Sequence, residues 1–169
     1  MSLIETLKKT GSAVLGARSA DPDILDTLKK EHDEVGALLK RLVESDAAAE
    51  RKSLLKQVKL ALVPHIKAEQ KVVYDAVMAL KDKDARQDGE EGYLEHKLAA
   101  DTLSLLAKIS NAMSPEFSAA AKVLKELVDH HVEEEENAIW ADVKRNFSDE
   151  QRAKMNKAFL SAKKRVRLV

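Results

Sequence analysis

The chain has 169 residues, of which 44% are hydrophobic and 34% charged, with only five glycines and three prolines. This composition is typical of a soluble helical domain that is long enough to bury a core without cross-links. The formal net charge is zero, so we expect neither a nucleic-acid nor a membrane partner. The sequence contains no cysteine, which excludes disulfides, iron–sulfur clusters and thiolate metal sites. Any metal must therefore be held by nitrogen and oxygen.

The two ends of the sequence suggest no export signal or membrane anchor. Residues 1–20 carry Glu5 within an apolar stretch and lack the continuous hydrophobic core of a signal peptide. We therefore expect a cytoplasmic protein, with a short amphipathic helix within the N-terminal segment 1–20. The basic tail 163–167 forms only a local patch.

Helix-start signals divide the rest of the chain. Asp21-Pro22 and Ser114-Pro115 each place a capping side chain before a proline, and residues 148–151 form a capping box. Two glycines between residues 83 and 92 predict a turn there. The helices predicted from these signals span about 22–45, 49–81, 91–112, 115–146 and 149–165.

Four of these predicted helices are long and are joined by short connections. Such helices pack as antiparallel neighbours, so the fold class is all-α, with an up-down-up-down four-helix bundle over residues 21–147. The fifth helix, with the basic tail in residues 148–169, is expected to pack outside the bundle or to fray.

All five histidines lie in the four long helices, and each of these helices carries at least one. On a helical period they fall on the apolar stripe and not on the solvated face. The predicted stripes are Leu25, Leu28, His32, Val35, Leu39 and Leu42; Leu55, Val58, Leu62, His65, Glu69, Val72 and Ala76; Tyr93, His96, Ala100, Leu103 and Ala107; and Leu124, Val128, His131, Glu135 and Ala138.

The sequence also contains an internal repeat. Segments 65–77 (HIKAEQKVVYDAV) and 131–143 (HVEEEENAIWADV) share histidine at the first place, glutamate at the fifth, an aromatic at the tenth and valine at the thirteenth. A lone histidine precedes the repeated one by 33 residues in the first half and by 35 in the second. The chain is therefore predicted to form two similar helical hairpins about a pseudo-twofold axis.

The H-x-x-x-E spacing has a direct chemical consequence. Residues four apart lie one above the other on a helix, so an imidazole and a carboxylate can face the same point. Two carboxylates in one core need a strong counter-charge, which two metal cations would supply. Four histidines and two bridging glutamates make eight metal–ligand bonds, which leaves each ion short of six ligands. Exogenous oxygen ligands or a substrate can then bind.

The order H…H-x-x-x-E…H…H-x-x-x-E over about residues 22–145 resembles the hemerythrin-like family of HHE cation-binding domains. The resemblance rests on Glu31-His32, residues 65–69, Glu95-His96 and residues 131–135. It implies a four-helix bundle with two iron ions and an oxo or hydroxo bridge, although Mn or Zn also suits nitrogen and oxygen ligands. The implied terminal ligands are His32, His65, His96 and His131, and the implied bridges are Glu69 and Glu135.

The sequence departs from the oxygen carriers of this family. These have a second histidine four residues from the one in the third helix, and a final H-x-x-x-x-D. Here the corresponding residues are Gly92 and Ala100 on either side of His96, and Glu136. The departure argues against reversible oxygen transport. Ferritin-like bundles, the rival family, use E-x-x-H, and no histidine here has a glutamate three residues before it.

His130 competes with His131 as a ligand, because His130 and Glu134 also form an i, i+4 pair. The apolar stripe and the repeat both favour His131. His130 points about 100° away and is predicted to be a boundary residue or a partner of a ligand.

Other residues near the predicted ligands have two interpretations. Tyr93, one turn before His96, is a donor to a metal-bound oxygen, an occupant of a vacant coordination place or a core residue. Tyr74 and Trp140 are expected in the core, and Glu31 and Glu95 are either ligand partners or exposed. Three small residues could leave space for a diatomic ligand: Ala100, Ala107 and Ala138.

Two functions and one alternative without metal follow. The first is a stress-response di-iron protein that binds and reduces or disproportionates a diatomic or peroxide ligand, namely nitric oxide, hydrogen peroxide or oxygen. The second is a non-catalytic module for binding, sensing or storing iron or oxygen. The third is a metal-free helical interaction protein. The sequence contains no phosphate-binding glycine loop and no nucleophile motif.

Overall fold

The computed structural model describes residues 21–167, and within that range the chain is helical with no β-strand. The α-helices are α1 Ile24–Glu44, α2 Ala48–Glu69, α3 Asp75–Met78, α4 Lys83–Lys108, α5 Pro115–Glu134, α6 Trp140–Asn146 and α7 Asp149–Arg165. Two π-helical turns, Gln70–Tyr74 and Glu135–Ile139, join α2 to α3 and α5 to α6 without a break. The described residues thus form five continuous helices, which confirms the all-α fold. The helix predicted within residues 1–20 lies outside the described residues.

Side-chain caps begin α1, α5 and α7 close to the predicted places. Ser114 accepts a hydrogen bond from the backbone of Phe117, and Ser148 forms the predicted capping box with Gln151. At α1 the cap is Asp23, which accepts from the backbone of Leu25, and not Asp21. Each cap satisfies a backbone donor that the first turn of a helix leaves free.

The turn predicted before the third long helix is wrong. Asp82 caps α4, which runs without interruption through Gly89 and Gly92. A Cβ atom at Gly92 would lie 2.6 Å from the hydroxyl oxygen of Tyr74, and one at Gly89 would lie 2.7 Å from Cγ of Met78. These glycines therefore allow helices to approach closely; they do not break one.

The buried face of three helices differs from the predicted stripe. After Glu69 the buried stripe continues at Val73 and Val77, one later than the predicted Val72 and Ala76, and Tyr74 is buried beside it. In the second hairpin Ile139 is buried, whereas the predicted Ala138 is exposed. A π-turn accommodates an extra residue, so every later side chain moves by one place.

The predicted stripe of the third long helix is also wrong in part. His96 and Leu103 are buried as expected, but Ala99 and Leu106 replace Ala100 and Ala107, which face solvent. From His96 the inward face continues in steps of three, four and three residues, as the period of 3.6 requires. Neither Ala100 nor Ala107 can therefore shape a ligand pocket.

Helix α7 is part of the folded core. Phe159 is fully buried among residues of α1, α2 and α6, and Arg152 bonds to Asp23 at 2.7 Å. Of the two outcomes expected for this helix, packing on the outside of the bundle is the one observed and fraying is wrong, because its apolar face packs on α1, α2 and the first π-turn beside the histidines. Within residues 21–167, no helix combines the length and apolar character needed to cross a bilayer.

We predict that Gly92→Ala destabilises the protein by about 1–3 kcal/mol, because the added methyl group overlaps the buried Tyr74 ring. Gly36→Ala is the matched control: it lies within α1, and a Cβ atom there meets nothing within 4 Å. That change should stabilise the protein by about 0.5–1 kcal/mol through helix propensity. Urea unfolding of both variants measures the difference. Equal effects at the two positions would contradict the packing role of Gly92.

Candidate metal centre

The structure brings the six predicted ligand residues together in the middle of the bundle. All six are at most 7% exposed, although every one is polar. Four helices and the start of one π-turn supply them: His32 from α1, His65 and Glu69 from α2, His96 from α4, His131 from α5 and Glu135 from the π-turn.

The imidazoles form two pairs, each with one histidine from a lone position and one from an H-x-x-x-E segment. The rings of His32 and His65 lie 5.0 Å apart. The rings of His96 and His131 lie 4.4 Å apart, with their Nε2 atoms separated by 3.0 Å. Each hairpin therefore supplies one pair.

Glu69 lies between the two pairs. Its Oε2 atom is 3.1 Å from Nε2 of His65 and 3.3 Å from Nε2 of His96. Two ligand atoms bound to one metal at about 2.1 Å, at right angles or tetrahedrally, lie about 3.0–3.4 Å apart. The donor atoms thus already have the spacing of neighbouring ligands. Two three-residue clusters that could hold an ion share this carboxylate: His32, His65 and Glu69; and Glu69, His96 and His131.

Glu135 occupies the corresponding place in the second hairpin. Its Oε2 atom is 3.3 Å from Nε2 of His131 and 3.5 Å from Nε2 of His32. Its Oε1 atom accepts a hydrogen bond of 3.2 Å from the indole nitrogen of Trp140. This carboxylate therefore also touches one imidazole of each pair.

The site leaves many buried polar atoms without a hydrogen-bond partner. Each such atom costs about 1–3 kcal/mol when nothing replaces its water. Among the described residues seven buried side-chain atoms are in this state, and six of them are here: His32 Nε2, both Glu69 carboxylate oxygens, Tyr74 Oη, His96 Nδ1 and Glu135 Oε2. Together with the nitrogen and oxygen donors, this pattern fits metal ions.

Three of the four imidazoles are held from behind by a carboxylate that accepts from Nδ1, which leaves Nε2 directed inward. Such outer carboxylates orient metal-binding histidines and raise their basicity. The pairs are His65 with Glu31 at 3.0 Å, His131 with Glu95 at 2.8 Å and His32 with Glu136 at 3.1 Å. Glu31 and Glu95 therefore bond two of the predicted ligands and are not exposed side chains. His96 Nδ1 lacks such a partner.

The C-terminal helix extends one of these contacts. Lys163 Nζ of α7 lies 2.6 Å from Glu31 Oε2, the same oxygen that accepts from His65. The ring of Phe159 meets the His65 ring edge-on at 5.9 Å. Sequence reasoning missed this support, because nothing local to α7 indicates which end of the bundle it covers.

The paired aromatics of the repeat each face the lone histidine of the other hairpin. Trp140 stacks on His32 with ring centroids 5.9 Å apart, and Tyr74 meets His96 edge-on at 5.1 Å. Both were expected in the core, and both are buried there. Their polar atoms add a role that the repeat could have indicated: the indole bonds Glu135, whereas the Tyr74 hydroxyl is unpaired.

Tyr93 and His130, which the sequence offered as possible partners of the metal ligands, lie outside the central group. The Tyr93 hydroxyl donates to Asp75 Oδ1 at 2.7 Å, with the Gln70 carbonyl oxygen at 3.3 Å, so it points away from the histidines. The side chain of His130 is 58% exposed and lies 3.3 Å from Glu95, the residue behind His131. His130 is therefore a boundary residue, as its helical position indicated.

The buried carboxylates alter the protonation of the histidines around them. Burial alone would lower the pKa of His65, but Glu69 and Glu31 outweigh it and raise this pKa to about 9. In the same way, Glu135 and Glu95 overcome burial and raise the pKa of His131 to about 10. Burial and the charge of His131 lower the pKa of His96 despite Glu69. The 3.0 Å contact between the two Nε2 atoms therefore joins an imidazole with a raised pKa, His131, to one with a lowered pKa, His96.

Comparisons with known proteins agree with this geometry. A family model described as the hemerythrin HHE cation binding domain matches residues 15–144. A protein named DNA nickase from Nostoc sp. (strain PCC 7120 / SAG 25.82 / UTEX 2576) is 29% identical over 157 residues, which are 92% of this chain and 44% of that protein. The chain therefore spans less than half the length of this curated relative. No solved structure gives a significant match.

We predict opposite pH dependences for the metal-free and metal-loaded protein. His65 and His131 have higher pKa values in the folded protein than in the unfolded chain, so their protonation stabilises the metal-free fold. This stabilisation is complete below the pKa of an unfolded histidine, 6.5, and is lost as pH rises through about 9 to 10. Metal must displace both protons, so apparent metal affinity should rise from pH 7 to 9, with about two protons released per loaded chain.

Denaturant unfolding of metal-free protein measures the first slope, and an indicator dye in weak buffer measures the protons. No proton release at pH 7 would contradict protonated histidines in the metal-free site.

Proposed function

The chain belongs to the hemerythrin HHE cation-binding family, and from this premise we propose that it is a non-haem di-iron protein. We propose that it binds hydrogen peroxide, nitric oxide or oxygen and reduces or disproportionates it during oxidative or nitrosative stress. Iron in this setting supplies a redox couple and open coordination places for small ligands. Manganese or zinc would suit the same donors with different chemistry.

One observation supports two ions over one: each buried carboxylate touches imidazoles of both pairs. In the proposed centre His32 and His65 would hold one ion, and His96 and His131 would hold the other. Glu69 would bridge the two from one side and Glu135 from the other. The distances of 3.1–3.5 Å between these carboxylate oxygens and the four Nε2 atoms suit that assignment.

The surroundings favour reactions of small ligands. A cavity of about 10 Å³ borders all four histidines, and its other walls are apolar side chains such as Val35, Leu62 and Val128. Space of this size holds about one water molecule, so ligands of only a few atoms are favoured over larger substrates. The unpaired hydroxyl of Tyr74 offers a hydrogen bond to a small polar ligand near His96.

Reversible oxygen transport has less support. The residue four before His96 is Gly92, and the Tyr74 ring occupies the space that a side chain there would need. The residue four after it, Ala100, faces solvent. The second histidine that oxygen carriers have in this helix is therefore missing here. Its absence would leave a coordination position open to a substrate, which supports turnover.

A non-catalytic role in binding, sensing or storing iron or oxygen uses the same six residues. The proposed enzyme differs from it only in turning over its ligand. Peroxide is the first ligand to test, because two peroxide molecules yield two waters and one oxygen without an external reductant. Nitric oxide reduction requires an added electron donor.

DNA nicking is not proposed for this chain. The Nostoc relative carries that name as a protein more than twice as long, so its activity need not reside in the shared part. The surface cavity that Glu135 lines has several other carboxylates in its described lining and no lysine or arginine. Such a surface repels DNA phosphates.

We predict that Glu69→Gln or Glu135→Gln lowers bound iron from about two to less than about one per chain, because neutral amides bridge metal ions poorly. Elemental analysis after anaerobic loading measures the content, and the melting temperature with and without iron measures the linked stability. Glu126→Gln on the exposed face of α5 is the control and should retain full loading. Unchanged content and unchanged iron-dependent stabilisation in both site variants would rule out bridging.

We predict that the iron-loaded protein consumes many more peroxide molecules than there are chains, with oxygen release at half the rate of peroxide loss. Zinc-loaded protein is the control, since zinc has no accessible redox change and should be inactive. An oxygen electrode and peroxide absorbance follow the reaction. Peroxide or nitric oxide binding that stops at one ligand per centre would favour the non-catalytic alternative.

A further inference from the structure

A second feature of the molecule is an acidic surface cavity between α4 and the end of α5. Its volume is about 490 Å³, much larger than the apolar space beside the histidines. Six of its lining residues are carboxylates, and the described lining contains no lysine or arginine. These carboxylates are Asp88, Glu91, Glu95, Glu133, Glu134 and Glu135.

The inner end of this cavity reaches the candidate metal centre. Glu135, one of the two central carboxylates, lines it together with Tyr74 and Gly92. Tyr74 is fully buried, and its hydroxyl has no hydrogen-bond partner. An unpaired hydroxyl at the base of a polar cavity indicates that a polar species or a hydrated ion can reach it.

The outer end carries possible ligands outside the six central residues, one of which, Glu95, also accepts from His131. His130 Nε2 lies 3.3 Å from Glu95 Oε1 and 3.6 Å from Glu134 Oε1. These three residues have the donor types and the spacing to hold a cation. His130 and Glu134 are exposed, so an ion there would exchange readily with water.

The crowding of negative charge is visible at Asp88, which lines the same cavity. Its partial burial raises its pKa, and the nearby carboxylates of Asp142, Asp84 and Glu134 raise it further. A divalent cation in the cavity would relieve this repulsion. Clefts lined by one sign of charge also concentrate counter-ions and accelerate their capture.

We propose that this cavity is the entry route for divalent cations, with Glu95, His130 and Glu134 as a transient outer site. Fe²⁺ is the cargo if the proposed di-iron function holds, and the inference rests on that function. The outer site captures the hydrated cation, and Glu135 receives it at the inner end. The ion then loses its remaining water between the imidazole pairs.

A second surface cavity offers an alternative route to the histidines, with which the acidic cavity can be compared. It has a volume of about 390 Å³, touches His32 and is lined by Asp33, Asp129 and Glu133. It has half as many carboxylates as the acidic cavity, and none of its described lining residues is a central carboxylate. It is the competing entry route.

The test compares two double variants that remove equal charge, one from each cavity. Glu91→Gln/Glu134→Gln alters the proposed route, and Asp33→Asn/Asp129→Asn alters the competing one; neither pair includes a residue that contacts a central imidazole through its carboxylate. Metal-free proteins are mixed anaerobically with Fe²⁺ at low ionic strength, quenched with a chelator at intervals, and assayed for retained iron.

We expect loading to slow about tenfold in the first variant, with unchanged final content, and to stay within about twofold of wild type in the second. The difference should shrink at about 0.3 M salt, where screening weakens attraction across the cavity. Equal loading rates in the two variants, or greater slowing in the second, would overturn the proposed route.

Failure of the wild-type protein to retain iron would overturn the proposed di-iron function. A second measurement then tests whether the acidic cavity binds a cation. Paramagnetic Mn²⁺ broadens amide NMR signals of residues close to it. Broadening confined to residues 88–95 and 130–138, and lost in Glu91→Gln/Glu134→Gln, supports a cation site in the cavity. Absent or uniform broadening overturns it.

Discussion

Two carboxylates buried in the middle of a helical bundle constrain most of this structure. Glu69 and Glu135 are almost wholly removed from water, where an unpaired charge would cost several kcal/mol. In the metal-free protein protonated histidines offset part of that charge. Metal ions would offset it more completely, since they also satisfy the carboxylate oxygens that lack hydrogen bonds. The surrounding carboxylates, aromatics and π-turns all serve to hold these groups in place.

The internal repeat organises those supports, and its imperfections distinguish the two ends of the site. In each hairpin the glutamate before the lone histidine bonds the histidine of H-x-x-x-E. Glu136 bonds His32, but the matched residue in the other hairpin is Gln70, and His96 Nδ1 remains unpaired. The end near His96 also has the unpaired Tyr74 hydroxyl. The two imidazole pairs are thus chemically unequal within a nearly symmetric frame.

The two sides of the centre also have different polarity. The space that all four histidines border has apolar walls, which suits a small neutral ligand. The larger cavity that reaches Glu135 is strongly acidic, which suits a cation. Helix α7 covers another side, where Phe159 packs against His65 and Lys163 bonds Glu31. A separation of ligand space from ion route would let one buried centre be loaded and then used without a large opening of the bundle.

The sequence by itself determined the helical fold, the pairing of hairpins and which six residues meet, because helical periodicity and the i, i+4 rule are local properties of the chain. It could not predict the one-residue shift after Glu69, since a π-turn forms only when packing favours the extra residue. It wrongly predicted a turn at Gly92, because the reason for a glycine there is the close approach of Tyr74 from another helix. Only tertiary structure decided that Lys163 supports Glu31 and that Tyr93 points away from the histidines. Such contacts join residues far apart in the chain, and local patterns carry no information about them.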